Sequence, residues 1–259
     1  MKALITSGCS LAETSTYPNL KTWPLFLKDH LAPEYFNNTG QGSTGTDLIS
    51  KKIIYQCTKA LEIYKPEDIL CVASFTTLYR TAGLFEHNDL FPTKLKNSAE
   101  ALASPHNPTW YLQGCDYDTK RPTTSEGWYY WNLWRDDENF AYYYTFYNSH
   151  LNLLEQYLWN IVAVINFCKA NNIEFIYIFV NDDVPNNVNL QKYKDHWATN
   201  HLRDIVFNDT NYKIKQPIAT WVTEHYPTLM GDDIHPITEG HEQYVNQILL
   251  PVVDKIWNK

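Results

Sequence analysis

Two kinds of hydrophobic pattern alternate along the chain. Short apolar runs are typical of buried parallel strands, and they occupy residues 3–5, 69–74 and 173–180, with a more polar run at 34–38. Longer stretches with an apolar residue at every third or fourth position are typical of amphipathic helices, and they occupy residues 23–31, 47–64, 149–170 and 242–257. Two further helices are expected near residues 189–200 and 217–225. Because strands and helices alternate, the pattern predicts an α/β fold, with a mostly parallel sheet of about five strands between two helical layers.

The alternation breaks between residues 75 and 148, and we call this segment the aromatic insertion. It contains the aromatic runs 128–131 and 142–144 and is too long to be a simple connection. We expect it to fold over the sheet, with some helix at residues 136–147. Packing as a lid, an oligomer interface and a platform for sugar rings all fit its composition. No linker or clean boundary divides the chain, so residues 1–259 are expected to form a single domain that includes this insertion.

Composition and charge argue against some classes of binding partner and indicate the compartment. The formal net charge is −8 and no basic run is present, which argues against a nucleic-acid partner. Five cysteines, without a Cys-x-x-Cys pair, favour free thiols in a reducing compartment and match no zinc motif. No apolar stretch has transmembrane length and no signal peptide is visible, so we expect no membrane partner. We expect a cytoplasmic or phage-associated protein.

The first apolar run leads into the sequence Gly-Cys-Ser at residues 8–10. Ligands of open α/β sheets bind beyond the carboxyl ends of the strands, which is where Ser10 would lie. Ser10 is therefore a candidate nucleophile, although a serine after an apolar run is more often only a turn residue. Cys9 is expected to point the other way, into the core.

A candidate base and acid stand near the other end of the chain. Asp232 and His235 are three residues apart, just before the predicted last helix. At this spacing one turn can bring the carboxylate back to the imidazole ring that it would orient. Serine hydrolysis of an ester needs such a pair, together with donors for the developing oxyanion.

These blocks resemble those of the SGNH (GDSL-like) hydrolases. Gly-Cys-Ser at residues 8–10 is similar to the family's first block, and residues 37–43, which run from an asparagine to Gly42 and a serine, are similar to its second. Asp-Asp-Ile-His at residues 232–235 matches the last block. The resemblance implies a flavodoxin-like sheet, Ser10 as nucleophile, His235 as base and Asp232 rather than Asp233 as acid. It also implies that the backbone N–H groups of Ser10 and Gly42 are oxyanion donors.

The third block departs from the family. SGNH hydrolases have an asparagine after the third strand as a further oxyanion donor, whereas this chain has hydroxyl residues there. Thr76 is the first candidate to replace the amide, with Thr77, Ser74 and Asn181 as alternatives. The chain in this respect resembles a divergent branch that we associate with phage and environmental sequences.

The expected activity is that of a metal-independent serine esterase without a cofactor, acting on a small-molecule or glycan ester. An O-acyl or O-acetyl group on a carbohydrate is the first substrate hypothesis, with Arg80, Trp128 and Trp131 as candidate binding residues. Arg80 could equally be a surface charge. Two alternatives stay open: a weakly active or inactive protein that binds a glycan or protein through the aromatic insertion, and a lipid or small-ester hydrolase. All three hypotheses are compatible with a homo-oligomer.

Overall fold

The computed structural model describes most of the chain outside the aromatic insertion. The described residues are 2–14, 19–42, 44–76, 80–85, 114–115, 122–123, 127–132, 150–181, 193, 195–210, 214–231 and 235–258. At 80–85, 114–115, 122–123, 127–132 and 150 only the backbone is described.

The described strands form one parallel sheet and two small ribbons. In chain order the strands are β1 (Ala3–Ser7), β2 (Tyr35–Asn38), β3 (Ile69–Phe75), β4 (Arg80–Phe85), β5 (Gly114–Cys115), β6 (Pro122–Thr123), β7 (Gly127–Asn132) and β8 (Glu174–Phe179). The sheet has the order β2-β1-β3-β8 and all its pairs are parallel. Counting only these four strands, the order is 2-1-3-4, as at the start of a flavodoxin-like sheet.

Helices cover both faces of this sheet. In chain order they are α1 (Trp23–Leu31), α2 (Thr46–Leu61), α3 (His150–Ala170), α4 (Asn200–Asn208), α5 (Ile218–His225), α6 (Thr238–Tyr244) and α7 (Leu250–Trp257), with a π-helical segment at Val245–Leu249. Short 3-10 turns lie at Ser10–Ala12, Pro66–Asp68 and Pro227–Leu229.

Neighbouring residues of each strand enter opposite apolar layers, as the pleat requires. Ile5, on β1, faces the layer formed with α2, α3 and α4. Leu4, one residue earlier, faces the layer formed with α1, α5 and the C-terminal helices. The three-layer α/β/α prediction is confirmed, with four strands in the described part of the sheet where about five were expected.

Two helix predictions need correction. The helix expected near residues 189–200 is wrong over the described part, since residues 195 and 197–199 form turns and the helix begins at Asn200. The buried positions one turn apart, Leu202 and Val206, belong to this later helix. The helix expected from residue 242 begins earlier, at Thr238, because Gly240 and His241 already pack inside it.

Within the aromatic insertion, two antiparallel ribbons are described. β4 pairs with β7 in a register that runs from Arg80 opposite Asn132 to Phe85 opposite Gly127, and β5 pairs with β6. Phe75, where the insertion was expected to start, is still the last residue of β3. The helix predicted at residues 136–147 lies outside the described residues.

The cysteines described with side chains are Cys9, Cys57, Cys71 and Cys168, and all four are buried and free; free thiols are what the sequence predicted. Burial raises the pKa of the Cys71 thiol. Over the described ranges, none of the helices combines the length and apolar character needed to cross a membrane.

Candidate active site

The turn after β1 presents Ser10 at the carboxyl edge of the sheet. β1 ends at Ser7, and one 3-10 turn then begins at Ser10. Gly8 is required by packing, since a β-carbon there would lie 2.0 Å from the Ser74 hydroxyl. Cys9 is fully buried in the apolar layer, so Ser10, which is 8% exposed, is the residue that this turn presents. We call residues 8–13 the nucleophile turn.

A second loop, residues 38–42, lies against the nucleophile turn, and we call it the glycine loop. It continues the parallel pairing of β1 and β2 beyond the strand ends, because the Thr39 N–H donates to the Thr6 carbonyl at 2.9 Å and the Gln41 N–H to the Gly8 carbonyl at 3.0 Å. A β-carbon on Gly40 would lie only 2.5 Å from the Ala12 carbonyl oxygen. The sheet itself therefore fixes how the two segments meet.

Two side chains brace the glycine loop further. The Asn38 amide donates to the Ala12 carbonyl at 2.7 Å, which ties the loop to the end of the Ser10 turn. Lys52, buried on α2, donates to the Gln41 side-chain oxygen at 2.7 Å from the opposite side. The two bonds fix the side chains of Asn38 and Gln41, which lie before and after Gly40 in the glycine loop.

Gly42 lies beside Ser10 and already has an anionic partner. A β-carbon on Gly42 would be 4.0 Å from Ser10 Cβ. The Gly42 N–H donates to a carboxylate oxygen of Glu13 at 2.7 Å. Glu13 is 6% exposed, three residues after the serine. The N–H that the family resemblance assigns to the oxyanion thus holds a carboxylate in this structure.

His235 is held by a short antiparallel crossing before α6. Met230 and Pro236 form an isolated β-bridge, and the Gly231 N–H donates to the His235 carbonyl at 2.7 Å. Gly240, in the first turn of α6, allows this crossing to pack closely, since a β-carbon there would lie 2.9 Å from the Leu229 carbonyl oxygen. We call residues 229–241 the base segment.

The nucleophile turn and the base segment meet through a direct hydrogen bond. Ser10 Oγ and His235 Nε2 are 2.7 Å apart although the residues are 225 positions apart in sequence. A hydroxyl within hydrogen-bond reach of an imidazole is the arrangement that activates a serine nucleophile. For Nε2 to accept the serine proton, the neutral ring must carry its own proton on Nδ1.

His241 is the other histidine of the base segment. It is fully buried on α6, and within the described part of the chain neither of its ring nitrogens has a hydrogen-bond partner. Burial, and then the charge of His235, lower its pKa to about 3. His241 is therefore a neutral neighbour of His235 at ordinary pH.

The candidates for the third oxyanion donor lie at the ends of β3 and β8. Ser74 is fully buried against Gly8 of the nucleophile turn, and in the described structure its hydroxyl has no hydrogen-bond partner. Thr76 is also buried, and its carbonyl accepts a hydrogen bond from the Tyr157 hydroxyl at 2.8 Å. Asn181 follows β8 and is half-buried.

Several predicted site residues are not described at the level needed to place them. Asp232, the expected acid, and Thr77 lie outside the described residues. Arg80 begins β4, and Trp128 and Trp131 lie in β7, where only the backbone is described. In the described ranges, no group of three or more His, Cys, Asp or Glu side chains could hold a metal ion.

Three residues at the site escaped the sequence analysis. Glu13 lies in a polar loop and Asn38 at the end of the polar strand 34–38, where a carboxylate or an amide is usually solvated, and Lys52 is a charge within an amphipathic helix. The available signal was weak: Lys52 falls on the helix face that also carries Ile49 and Ile53, where a charge is unexpected.

Comparison with known proteins gives no match in sequence and distant similarity in structure. No protein-family model matches the chain, and no curated protein sequence matches it. Among solved structures, the psychrotrophic esterase EstA from Pseudoalteromonas sp., inhibited by monoethylphosphonate, is 10% identical with a TM-score of 0.44, over 100% of both chains. An acylhydrolase candidate from Bacteroides fragilis is 14% identical with a TM-score of 0.44, over 99% of this chain and 88% of that one. Values this low say nothing about substrate or individual residues.

Proposed function

We propose that this chain is a serine hydrolase that cleaves carboxylic esters. The observation that carries the proposal is the 2.7 Å contact between Ser10 Oγ and His235 Nε2 at the carboxyl edge of a parallel sheet. Ser10 is the nucleophile and His235 the general base. Asp232, three residues before His235, is the proposed orienting acid, and its role rests on its spacing in the sequence.

The reaction follows the usual two steps of acyl transfer. Ser10 Oγ attacks the ester carbonyl carbon while its proton moves to His235 Nε2, and the tetrahedral intermediate expels the alcohol, which takes that proton. Water then attacks the acyl-serine with His235 again as base, releasing the carboxylic acid and restoring the serine hydroxyl. The backbone N–H groups of Ser10 and Gly42 are the proposed oxyanion donors, with Thr76, Thr77, Ser74 or Asn181 as a third.

For the substrate we propose an O-acyl group on a carbohydrate, with O-acetyl as the first to test. The support is compositional: aromatic residues make up 15% of the chain, and the β7 strand carries Trp128 and Trp131 at residues 127–132. Flat aromatic surfaces suit the apolar faces of sugar rings. Arg80, at the start of β4, is a proposed contact for an anionic substrate.

A weakly active binding protein is the second candidate, and one observation favours it. The Gly42 N–H, a proposed oxyanion donor, already holds the Glu13 carboxylate at 2.7 Å. Losing one such donor lowers kcat by about 10²–10³-fold in hydrolases with known oxyanion holes. In this alternative the aromatic insertion binds a glycan or a protein without rapid turnover.

Labelling and turnover of Ser10 test the enzyme proposal. The wild-type protein is incubated with a fluorophosphonate probe, which phosphonylates an activated serine with loss of fluoride, and with p-nitrophenyl esters of increasing chain length. We expect labelling at Ser10, turnover of the acetyl ester, and loss of both in Ser10→Ala. Faster turnover of long-chain esters would instead indicate a lipid hydrolase.

Ser50→Ala is the matched control for Ser10→Ala. Ser50 is buried on α2 and, within the described structure, its hydroxyl has no partner, so its removal should leave labelling and turnover unchanged. Turnover no higher than that of Ser10→Ala, together with no labelling of Ser10, would reject the enzyme and leave the binding protein.

A further inference from the structure

The Glu13 side chain occupies the position beside Ser10 that the proposed reaction reserves for an oxyanion. Its carboxylate oxygen is 2.7 Å from the Gly42 nitrogen, and Gly42 lies next to Ser10. A carboxylate on an N–H donor makes the same kind of charge-assisted hydrogen bond that a tetrahedral oxyanion would make. The two anions cannot share this donor without strong repulsion.

The glycine loop does not need Glu13 to keep its shape. The Thr39 and Gln41 N–H groups are bonded to the β1 side of the sheet at 2.9 and 3.0 Å. Lys52 holds the Gln41 side chain at 2.7 Å, and Asn38 holds the Ala12 carbonyl at 2.7 Å. These bonds hold residues 38–41, so the backbone that leads to Gly42 is fixed by contacts other than the Glu13 carboxylate.

Backbone bonds of Glu13 help to hold the nucleophile turn. Glu13 contributes backbone bonds to it: its N–H donates to the Ser10 carbonyl at 3.2 Å, and its carbonyl accepts from the Thr22 hydroxyl at 3.1 Å. Both remain in any side-chain variant. The carboxylate is thus the only part of Glu13 that has to leave for a substrate carbonyl to reach Gly42.

We propose that Glu13 is a gating residue whose carboxylate fills the oxyanion site of the resting protein and must be displaced by the acyl substrate. The inference rests on the proposed esterase function, and it adds a second consequence. A carboxylate product would bind the Gly42 N–H in the same way, so Glu13 also excludes the product and limits inhibition by it. The site is accordingly a carboxylate-binding site that the free chain fills with its own side chain.

Two variants separate gating from simple bracing. Glu13→Gln keeps the shape and a weaker, neutral acceptor for Gly42, whereas Glu13→Ala leaves the donor open. We expect both to be phosphonylated by the fluorophosphonate about 10-fold faster than wild type, the factor to which 1.4 kcal/mol corresponds. Acetate should inhibit both variants competitively, at a concentration about 10-fold lower than the one needed to inhibit the wild-type protein. Glu62→Gln, the same charge change at an exposed side chain of α2's C-terminal end, is the control and should match wild type.

Acetate gives the opposite result if Glu13 is a brace. In that case Glu13→Ala is slow, and added acetate restores activity by refilling the position of the lost carboxylate. Such rescue, or variants no faster than a labelled wild type, would overturn the gate while leaving the esterase intact. If neither wild type nor the Glu13 variants are labelled at Ser10, the proposed function itself fails and the gate with it.

Discussion

The nucleophile turn and the base segment meet in one hydrogen bond but are held in place by different means. The nucleophile turn is fixed by backbone: the parallel pairing of β1 and β2 continues into the glycine loop, and Gly8 and Gly40 allow contacts that no side chain could fit. The base segment is not part of the described sheet; its described residues are held by the bridge between Met230 and Pro236, by local backbone hydrogen bonds from Gly231 to His235 and from Ile237 to Leu229, and by packing of α6.

This difference determines how far a substitution in each segment displaces the atoms around it. A β-carbon on Gly40, in the glycine loop, meets the main-chain carbonyl of Ala12 at 2.5 and 2.6 Å, and Ala12 belongs to the turn that carries Ser10. A change in the base segment meets fewer main-chain atoms, and side chains of α5 and Pro236 can adjust around it. Glycine-to-alanine substitutions on the two sides should therefore both lower kcat/KM and Tm, but by different amounts.

The largest effect is expected from Gly40→Ala. The new methyl would lie 2.5 Å from the Ala12 carbonyl oxygen and 2.6 Å from its carbonyl carbon, so the turn that carries Ser10 must shift. Misplacement of a reacting group by about 1 Å costs roughly 100-fold in rate. We expect kcat/KM for p-nitrophenyl acetate to fall by about that factor, with a lower Tm by thermal unfolding.

Gly42→Ala is the stability control for this substitution. Its methyl would meet only the movable end of the Glu13 side chain, at 2.8 Å, so the Tm should stay near that of wild type. A Gly40→Ala protein with wild-type kcat/KM would show that the backbone contact does not position the nucleophile.

A smaller effect is expected from Gly240→Ala on the other side of the site. The new methyl would lie 2.9 Å from the Leu229 carbonyl oxygen, but its next contacts are the Pro236 and Val222 side chains, at 3.1 and 3.2 Å. Overpacking of this kind costs about 1–3 kcal/mol. We expect a reduced Tm and a fall in kcat/KM of about 10-fold, because His235 shifts while the serine stays. A loss as large as that of Gly40→Ala would remove the distinction between the segments.

The same contrast explains what the sequence could predict. The strands, the helices and the layered α/β architecture follow from hydrophobic periodicity, which is a local property, whereas the flavodoxin-like strand order was implied by the family resemblance. Ser10 and His235 were found because short motifs with fixed spacing carry them. The hydrogen bond between the Gly42 N–H and the Glu13 carboxylate was not predicted. It depends on how the sheet brings together two loops whose residues are 29 positions apart in sequence.

Errors in the helices have a similar origin. The periodic apolar pattern predicts the last helix only from residue 242, because Thr238, Glu239 and Gly240 carry no apolar side chain, whereas α6 begins at Thr238. The helix expected near residues 189–200 was placed too early, since only tertiary packing shows that Leu202 and Val206 are buried in the apolar layer. The β4–β7 ribbon was missed because continuous aromatic runs hide the alternation that marks a strand.

The smallest effect on catalysis, and a distinct effect on stability, is expected from His241. Its pKa is lowered to about 3 in the folded protein by burial and then by the charge of His235, against about 6.5 in an unfolded chain. Above pH 6.5 the ring is neutral in both states and adds no pH dependence. As the pH falls from about 6.5 towards 3, only the unfolded chain takes up the proton, so stability falls by up to about 1.4 kcal/mol per pH unit.

His241→Leu should remove this acid-sensitive component while leaving kcat/KM at pH 8 close to wild type, since the neutral ring contributes no charge to His235. Urea unfolding at a series of pH values from 8 to 4.5 measures the slope directly. At pH 8 the variant should be at least as stable as wild type, because two buried nitrogens without a partner in the described structure are replaced by apolar atoms. His201→Gln, at an exposed ring on α4, should keep the wild-type slope. An unchanged slope in His241→Leu would mean that the base segment opens to solvent before it unfolds, and that His235 is held even less rigidly than the comparison with Ser10 suggests.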